Sequence, residues 1–180
     1  QMCIRDSARA LAKEPELLLL DEPFGQIDNF KKNSLRRMLF TYLKENNIAC
    51  IVATHDTDDA LSFADNMIVL KHGKVVAYDS PKELFRKPGS AYVASLFDDV
   101  NEVMINDRSM LLYPHQIKIV GHSGLKAIVQ KTYFKGTHWL VETKFKDQIV
   151  LMHHHSDIDQ LKTVFLAIDG NPSDDHISFK

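Results

Sequence analysis

The sequence predicts an α/β protein in which a parallel sheet with covering helices is followed by a small all-β domain. Up to about residue 97, apolar runs of strand length alternate with amphipathic stretches, the order typical of parallel sheets. After Asp98 the runs become short and alternating, as in antiparallel barrels and sandwiches. The 180 residues, 44% of them hydrophobic, suffice for one ordinary domain or two small ones.

The first elements follow from hydrophobic periodicity. Residues 8–13 favour a helix that Pro15 interrupts, and residues 16–20 form an apolar run that predicts a strand buried on both faces. Residues 29–45 carry apolar side chains at the three-and-four spacing of a helix with one buried face. These side chains are Leu35, Met38, Leu39, Tyr42 and Leu43. A second β-branched run at residues 48–53 predicts the next strand.

Three further elements complete the first part. Residues 58–64 predict a helix, and residues 67–70 predict a third strand of the parallel sheet. His72 and Gly73 separate two apolar runs and predict a hairpin turn at the sheet edge. Ser80 precedes Pro81, which favours a short capped helix.

The second part is predicted from evenly spaced strands between turn signals. The alternating runs are residues 117–120, 126–134, 139–145, 148–152 and 163–168. Such strands favour a small antiparallel barrel or sandwich. We place the domain boundary between residues 99 and 100, giving domains at 1–99 and 100–180.

Composition excludes some classes of function. The 22 basic and 24 acidic residues leave no positive excess to attract a phosphate backbone, so nucleic acid is not an expected partner. Cys3 and Cys50 cannot form a disulfide framework, which fits a reducing compartment. No apolar run approaches the roughly 20 residues that span a bilayer. Residues 1–7 resemble neither a signal peptide nor a helix start, and we expect a cut or altered beginning.

Polar side chains follow both predicted strands at their carboxyl ends, where ligands bind in open α/β sheets. Asp21 and Glu22 end the first strand, and this pair suits a metal ligand beside a residue that accepts a proton from water. His55 ends the second strand and could donate to a phosphate oxygen. The alternatives are a polar strand end before Pro23 and an ordinary turn histidine; helix capping would suffice to explain Asp28.

The order of these motifs resembles the nucleotide-binding subunits of ABC transporters. The segment LLLLDEP at residues 17–23, Asp28, and ATHD at residues 53–56 resemble that family's Walker B motif, D-loop and H-loop. Residues 8–11 and 72–88 are also similar to the family. The resemblance implies the C-terminal part of a P-loop NTPase-type parallel sheet. It also implies that Asp21 binds Mg²⁺, Glu22 is the catalytic base, Asp28 contacts a dimer partner and His55 contacts the γ-phosphate of ATP.

Other family motifs are absent from these residues. The sequence contains no G-x-x-x-x-G-K-[ST] phosphate loop, no Q-loop and no LSGGQ signature, which implies that this chain alone does not bind ATP in the family manner. Residues 3–7 do not match the segment expected before ARAL, and Phe24 to Gln26 depart from the usual D-loop. We therefore expect an N-terminally truncated piece of a complete ATPase.

Residues 111–119, LLYPHQIKI, resemble the start of the OB-like TOBE domains attached to importer ATPases. This resemblance implies an importer subunit on the cytoplasmic face of the cell membrane. It also implies a second ATPase subunit and transmembrane permease subunits as direct partners, and an extracytoplasmic solute-binding protein as an indirect one. The transported substrate is not encoded in these residues.

Two other functions remain open from sequence. One is a soluble ABC ATPase acting on DNA or ribosomes, although basic patches and long coiled coils are absent. The other is a non-catalytic interaction or ligand-sensing domain. His153 to His155 favour a solvated turn over a metal site, because neighbouring strand residues point to opposite faces. Tyr133, Phe134 and Trp139 favour core packing over base stacking.

Overall fold

The structure, a computed structural model, describes Leu11, residues 15–105 and residues 108–168. It divides into two compact units, Gln1–Glu83 and Leu84–Lys180. This division falls earlier than the predicted domain boundary after residue 99. The Phe85 ring stacks on Tyr113 with centroids 4.7 Å apart, and this contact holds the residues after Glu83 in the second unit. The predicted helix at residues 8–13 lies outside the described residues, apart from Leu11.

The first unit follows the predicted order of strands and helices. Its elements are β1 (Leu17–Asp21), α1 (Asn29–Glu45), β2 (Ala49–Ala53), α2 (Thr57–Phe63), β3 (Met67–Lys71), β4 (Lys74–Asp79) and the start of α3 (Pro81–Arg86). Strands β1 and β2 pair in parallel, with Leu17 opposite Ala49 and Asp21 opposite Ala53. The prediction that these two strands are parallel neighbours is confirmed.

One face of the β1–β2 pair is buried and the other is exposed. Leu18, only 4% exposed, packs in a cluster with Phe24, Phe40 and Leu43. Leu19 points the other way and is 67% exposed, because successive strand residues face opposite sides. The prediction that the first strand is buried on both faces is therefore wrong for the residues that the structure describes.

The third strand does not join the parallel sheet. Strand β3 pairs antiparallel with β4 in a separate two-stranded sheet, which corrects the prediction for residues 67–70. The predicted hairpin turn is confirmed: His72 and Gly73 have φ values of 51° and 73°, as a two-residue hairpin loop of this hand requires. The predicted cap is also present, since the Ser80 hydroxyl accepts a hydrogen bond from the Glu83 amide at 3.3 Å.

The second unit is dominated by antiparallel strands. Its elements are the end of α3, α4 (Ala91–Ala94), β5 (Asn101–Ile105), β6 (Arg108–Leu112), a 3-10 turn (Pro114–Gln116), β7 (Ile117–Val120), β8 (Leu125–Phe134), β9 (Trp139–Phe145), β10 (Gln148–His154) and β11 (Thr163–Ile168). Five of the strands form one sheet in the order β10-β9-β8-β11-β7. The all-β prediction is confirmed, but the β5–β6 hairpin was not predicted.

The core of the second unit lies on one face of the large sheet. Val129, Val141 and Met152 are fully buried there. Trp139 packs against this core, whereas Phe134 is 65% exposed, so the prediction that the neighbouring aromatic residues are core residues is wrong for Phe134. Tyr133 is also exposed.

A buried asparagine connects the β5–β6 hairpin to the edge strand β10. The Asn101 side chain donates to the carbonyl oxygens of Leu112, at 3.1 Å, and Leu151, at 2.8 Å. Its own carbonyl oxygen accepts from the Leu151 amide at 2.7 Å. Further along the same edge, the Met104 amide donates to the Gln148 side chain at 3.0 Å. Side chains thus satisfy main-chain groups of β5, β6 and β10.

Candidate active site

The parallel register brings the ends of β1 and β2 to one edge of the sheet. Asp21 is paired with Ala53, and the Glu22 amide continues the ladder by donating to the Ala53 carbonyl at 2.9 Å. The residues that follow each strand are therefore neighbours. This local arrangement places Glu22 beside His55, as the two strand ends predicted.

Glu22 and His55 make two contacts through one carboxylate oxygen. Glu22 Oε1 accepts from the His55 backbone amide at 3.0 Å and lies 2.6 Å from His55 Nδ1. An ionised carboxylate only accepts, so Nδ1 carries the proton in this contact, and Nε2 accepts in the neutral ring or donates in the protonated ring. The side chains are 41% and 83% exposed respectively, which leaves the pair open to a ligand.

The backbone of Glu22 has an unusual conformation. Its φ of 45° lies in the left-handed region, which costs a non-glycine residue roughly 1–2 kcal/mol. Two hydrogen bonds hold it there: its amide donates to Ala53, and its carbonyl accepts from the Gly25 amide at 3.1 Å. Strain of this kind concentrates at functional sites. The conformation turns the chain at the point where β1 ends.

The other two predicted site residues lie close by in sequence but differ in setting. Asp21 is the last residue of β1 and is exposed at the same edge. Asp28 precedes α1, and its carbonyl accepts from the amides of Lys31 and Lys32. Its side chain makes no capping hydrogen bond. Capping therefore does not explain the Asp28 carboxylate, which is exposed.

A network of charged side chains beside His55 was not predicted. Arg36 on α1 is 3% exposed and forms ion pairs with Asp56 and Asp59. Burial raises the pKa of Asp59 despite these partners. Burial also acts to raise the pKa of Asp56, but hydrogen bonds from Lys32 and Arg36 outweigh it and lower that pKa. Periodicity of apolar residues gave no signal for this network, because Arg36 is a charged residue at a buried helix position.

Four histidines of the second unit lie in two pairs. The rings of His138 and His153 lie 4.0 Å apart, and those of His154 and His155 lie 4.3 Å apart. Burial, together with the neighbouring His138, lowers the pKa of His153. Within residues 15–105 and 108–168, no three histidine, cysteine or acidic side chains are grouped so that they could hold a metal ion.

Relatives with known names match this sequence over much of its length. It is 38% identical over 113 residues to the sulfate/thiosulfate import ATP-binding protein CysA of Pseudomonas aeruginosa, covering 62% of this chain and 34% of that protein. The CysA protein of Gloeobacter violaceus is 34% identical over 76% of this chain and 43% of its own length. The spermidine/putrescine import ATP-binding protein PotA of onion yellows phytoplasma is 27% identical over 94% of this chain and 47% of its own.

Other comparisons add less. No protein-family model matches the chain. The solved structure of cbiO1 from Clostridium perfringens, described as part of the ABC transporter complex cbiONQ, is 37% identical and covers 42% of this chain and 30% of that one. Its TM-score of 0.38 is too low for a structural argument, so the relation rests on sequence.

The similarity to named relatives extends across both units but not across whole relatives. The alignment with PotA covers 94% of this chain, yet the chain spans only 34% of CysA from Pseudomonas aeruginosa and 47% of PotA. The names of these three relatives all describe an import ATP-binding protein. This chain is therefore homologous to part of the ATP-binding subunits of ABC importers.

Proposed function

We propose that this chain is part of the ATP-hydrolysing subunit of an ABC importer and supplies the water-activating edge of its catalytic site. The observation that carries the proposal is the contact between Glu22 Oε1 and His55 Nδ1, 2.6 Å apart at the carboxyl ends of two parallel strands. Ligands of open α/β sheets bind at such edges. The names of the relatives support the same activity.

Glu22 has the chemistry of a general base in this proposal. Its Oε1 is engaged by His55, whereas Oε2 makes no hydrogen bond with any described residue. An acceptor oxygen of this kind can orient a water and take its proton as the water attacks a γ-phosphate. His55 would stabilise charge on the transferred phosphoryl group by donating from Nε2, which requires the ring form that is protonated on both nitrogens.

Asp21 is the proposed Mg²⁺ ligand. Mg²⁺ in nucleotide sites usually takes one or two carboxylates, with phosphate oxygens and waters completing the shell. A single exposed carboxylate at the strand end fits that donor set when a nucleotide is also bound. When bound, Mg²⁺ neutralises developing charge on the phosphates. Asp21 would hold the ion, while Glu22 beside it would accept the proton from water.

The partners belong to the proposal as well. A second ATPase subunit would contact the exposed Asp28, and transmembrane permease subunits would receive the conformational change, with a solute-binding protein acting indirectly. The subunit would lie on the cytoplasmic face of the membrane. Among the described residues, no helix has the length and apolarity needed to cross a bilayer. The balanced charge gives no reason to expect nucleic acid as a partner.

The test is Glu22→Gln in the complete ATPase that carries this sequence. The amide keeps the shape of the side chain but cannot take a proton, so hydrolysis should fall at least about 100-fold while ATP still binds. Steady-state phosphate release and equilibrium nucleotide binding measure the two effects. Glu16→Gln, at an exposed glutamate just before β1, is the control and should leave both unchanged. Turnover in Glu22→Gln equal to that of Glu16→Gln would refute the role of Glu22.

Isothermal titration of the 180-residue chain with Mg-ATP tests the complementary part of the proposal. No phosphate loop occurs in this sequence, so we expect no tight binding. Saturable micromolar binding would show that the chain holds nucleotide by residues other than the family loop.

A further inference from the structure

The segment that carries His55 is fixed to α1 by a buried cation. Arg36 contacts Asp56 through Nη2 and Asp59 through Nε, one on each side of the β2–α2 junction. Lys32, one helical turn earlier on α1, adds a second cation to Asp56 Oδ2. The Arg36 side chain is 4% exposed, so the planar guanidinium bridges two carboxylates away from most of the solvent.

Hydrogen bonds inside the segment make it rigid around His55. The Thr54 hydroxyl donates to Asp59 Oδ2 at 3.0 Å and accepts from the Asp56 amide at 3.0 Å. Asp56 Oδ1 also accepts from the Asp58 amide at 3.1 Å and caps α2. The residues before and after His55 are therefore both held by the network that Arg36 closes.

Stability alone does not account for a buried network of this kind. The desolvation cost of buried ion pairs often equals or exceeds their Coulombic gain, and apolar replacements of similar volume are often as stable. A guanidinium does provide geometric definition, because its donors are fixed in one plane. The network here defines the position of His55, whose side chain is 83% exposed.

We propose that Arg36 is a positioning residue: it holds residues 54–59 so that His55 meets Glu22 at the strand edge. The catalytic consequence rests on the proposed function, in which His55 and Glu22 act on the γ-phosphate. The structural consequence does not, because the Glu22–His55 contact can be observed without nucleotide. Arg36 acts through His55 and touches neither Glu22 nor any reacting group in the described contacts.

The structural consequence can be tested in the 180-residue chain by ¹⁵N-histidine NMR. At about pH 9, where ordinary imidazoles are neutral, donation to Glu22 requires His55 to be the Nδ1–H tautomer. Arg36→Gln should convert His55 to the Nε2–H form that free histidine prefers. Arg37→Gln, at the exposed neighbouring position, is the matched control and should retain the native tautomer. An unchanged tautomer in folded Arg36→Gln would overturn the proposal.

Two further variants keep the test decisive if Arg36→Gln does not fold. Arg36→Lys keeps the charge but loses the planar fork, so the native tautomer should be partly restored. Thr54→Val removes the hydroxyl that joins Asp56 to Asp59 while keeping the side-chain volume, and it should shift the His55 tautomer as Arg36→Gln does. A native tautomer in folded Thr54→Val would contradict the proposed network.

The catalytic consequence is tested by a double-mutant cycle in the complete ATPase. Arg36→Gln should lower kcat about tenfold to a hundredfold, as small misplacements do, with KM for ATP changed less than about twofold. In the His55→Ala background it should have no further effect, since both substitutions remove the same interaction. Additive losses would refute the positioning role and leave the proposed function standing. Full activity of His55→Ala would refute the proposed role of His55, and the tautomer would still decide the structural claim.

Discussion

Glu22 combines the proposed catalytic carboxylate with a backbone conformation that glycine adopts more easily. Since φ is 45° and the side chain is partly exposed, the conformation should cost more than the carboxylate contributes to folding. We expect Glu22→Gly to be more stable than Glu22→Ala by about 1 kcal/mol, because both lack the carboxylate and only alanine carries a Cβ. Urea unfolding of the two variants measures the difference. Equal stabilities would mean that the residue relaxes out of the left-handed region.

His153 makes the stability of the second unit depend on pH. Its pKa is lowered by burial and by His138 and His115, against the opposing charges of Asp98 and Asp99. As pH falls, His153 therefore binds a proton in the unfolded chain before it does so in the folded chain. The stability of the folded unit decreases as pH drops below about 6.5, the pKa of histidine in the unfolded chain.

Replacing His153 by Gln should remove this pH dependence. The unfolding free energy of the second unit should fall less between about pH 7 and pH 5 in His153→Gln than in the native chain. His122→Gln, at an exposed histidine in a loop, should leave the native slope. Equal slopes in His153→Gln and the native chain would contradict the lowered pKa.

At the scale of single residues, the sequence located the Glu22–His55 pair because two apolar runs ended in polar side chains. It could not reveal the left-handed φ of Glu22, which depends on hydrogen bonds to Ala53 and Gly25. Nor could it reveal the two carboxylate partners of Arg36, which are 20 and 23 positions away along the chain.

Helix α1 shows how a periodic pattern can give the right element and the wrong face. The predicted bounds, residues 29–45, match the helix. The predicted face, however, included Met38, which is 64% exposed, and Tyr42, which is also exposed. The most buried positions are Arg36, Phe40 and Leu43, a helical spacing that contains a charged residue. Because the prediction counted apolar residues alone, its buried face is rotated about the helix axis relative to the observed buried face.

Strand β1 provides a paired test of the observed burial. Leu18 belongs to the core cluster, so Leu18→Ala should cost about 2–5 kcal/mol of the stability of the first unit. Leu19→Ala, one residue along on the exposed face, should change stability by less than about 0.5 kcal/mol. Chemical denaturation of both variants measures the contrast. Comparable losses would indicate that the exposed face is covered in solution, for example by self-association.

At the scale of the whole molecule, the two units differ in the size of their cores. The cluster of the first unit centres on Leu18, Phe24, Phe40 and Leu43. The cluster of the second unit is larger and includes the fully buried Val129, Val141 and Met152. Because stability varies locally with buried apolar contacts, the two units should open with different free energies.

Hydrogen exchange can measure this difference. Amides in β8 and β9 should exchange more slowly than those in β1 and β2, since the second unit has the larger core. Exchange followed by mass spectrometry of peptides from each strand gives the order. Slower exchange in β1 and β2 would mean that burial in the first unit is greater in solution than in the structure.

The sequence predicted the two-part architecture because helix-strand alternation and evenly spaced short strands are local patterns. Strand pairing is not local, and this explains the errors. The sequence of residues 67–70 fits a parallel strand and an antiparallel strand equally well. Pairing with β4 in a hairpin makes the strand antiparallel. The β5 strand contains alternating Val103 and Ile105, a signal that could have identified the hairpin.

The bonds of Asn101 have a consequence for self-association. Strand β10 lies at the edge of the five-stranded sheet, where free main-chain groups would offer a template for another chain. The Asn101 amide occupies both hydrogen-bonding groups of Leu151 at that edge. The Asn101 side chain therefore fills the hydrogen-bonding positions that an additional strand would use. It blocks an incoming strand at this point.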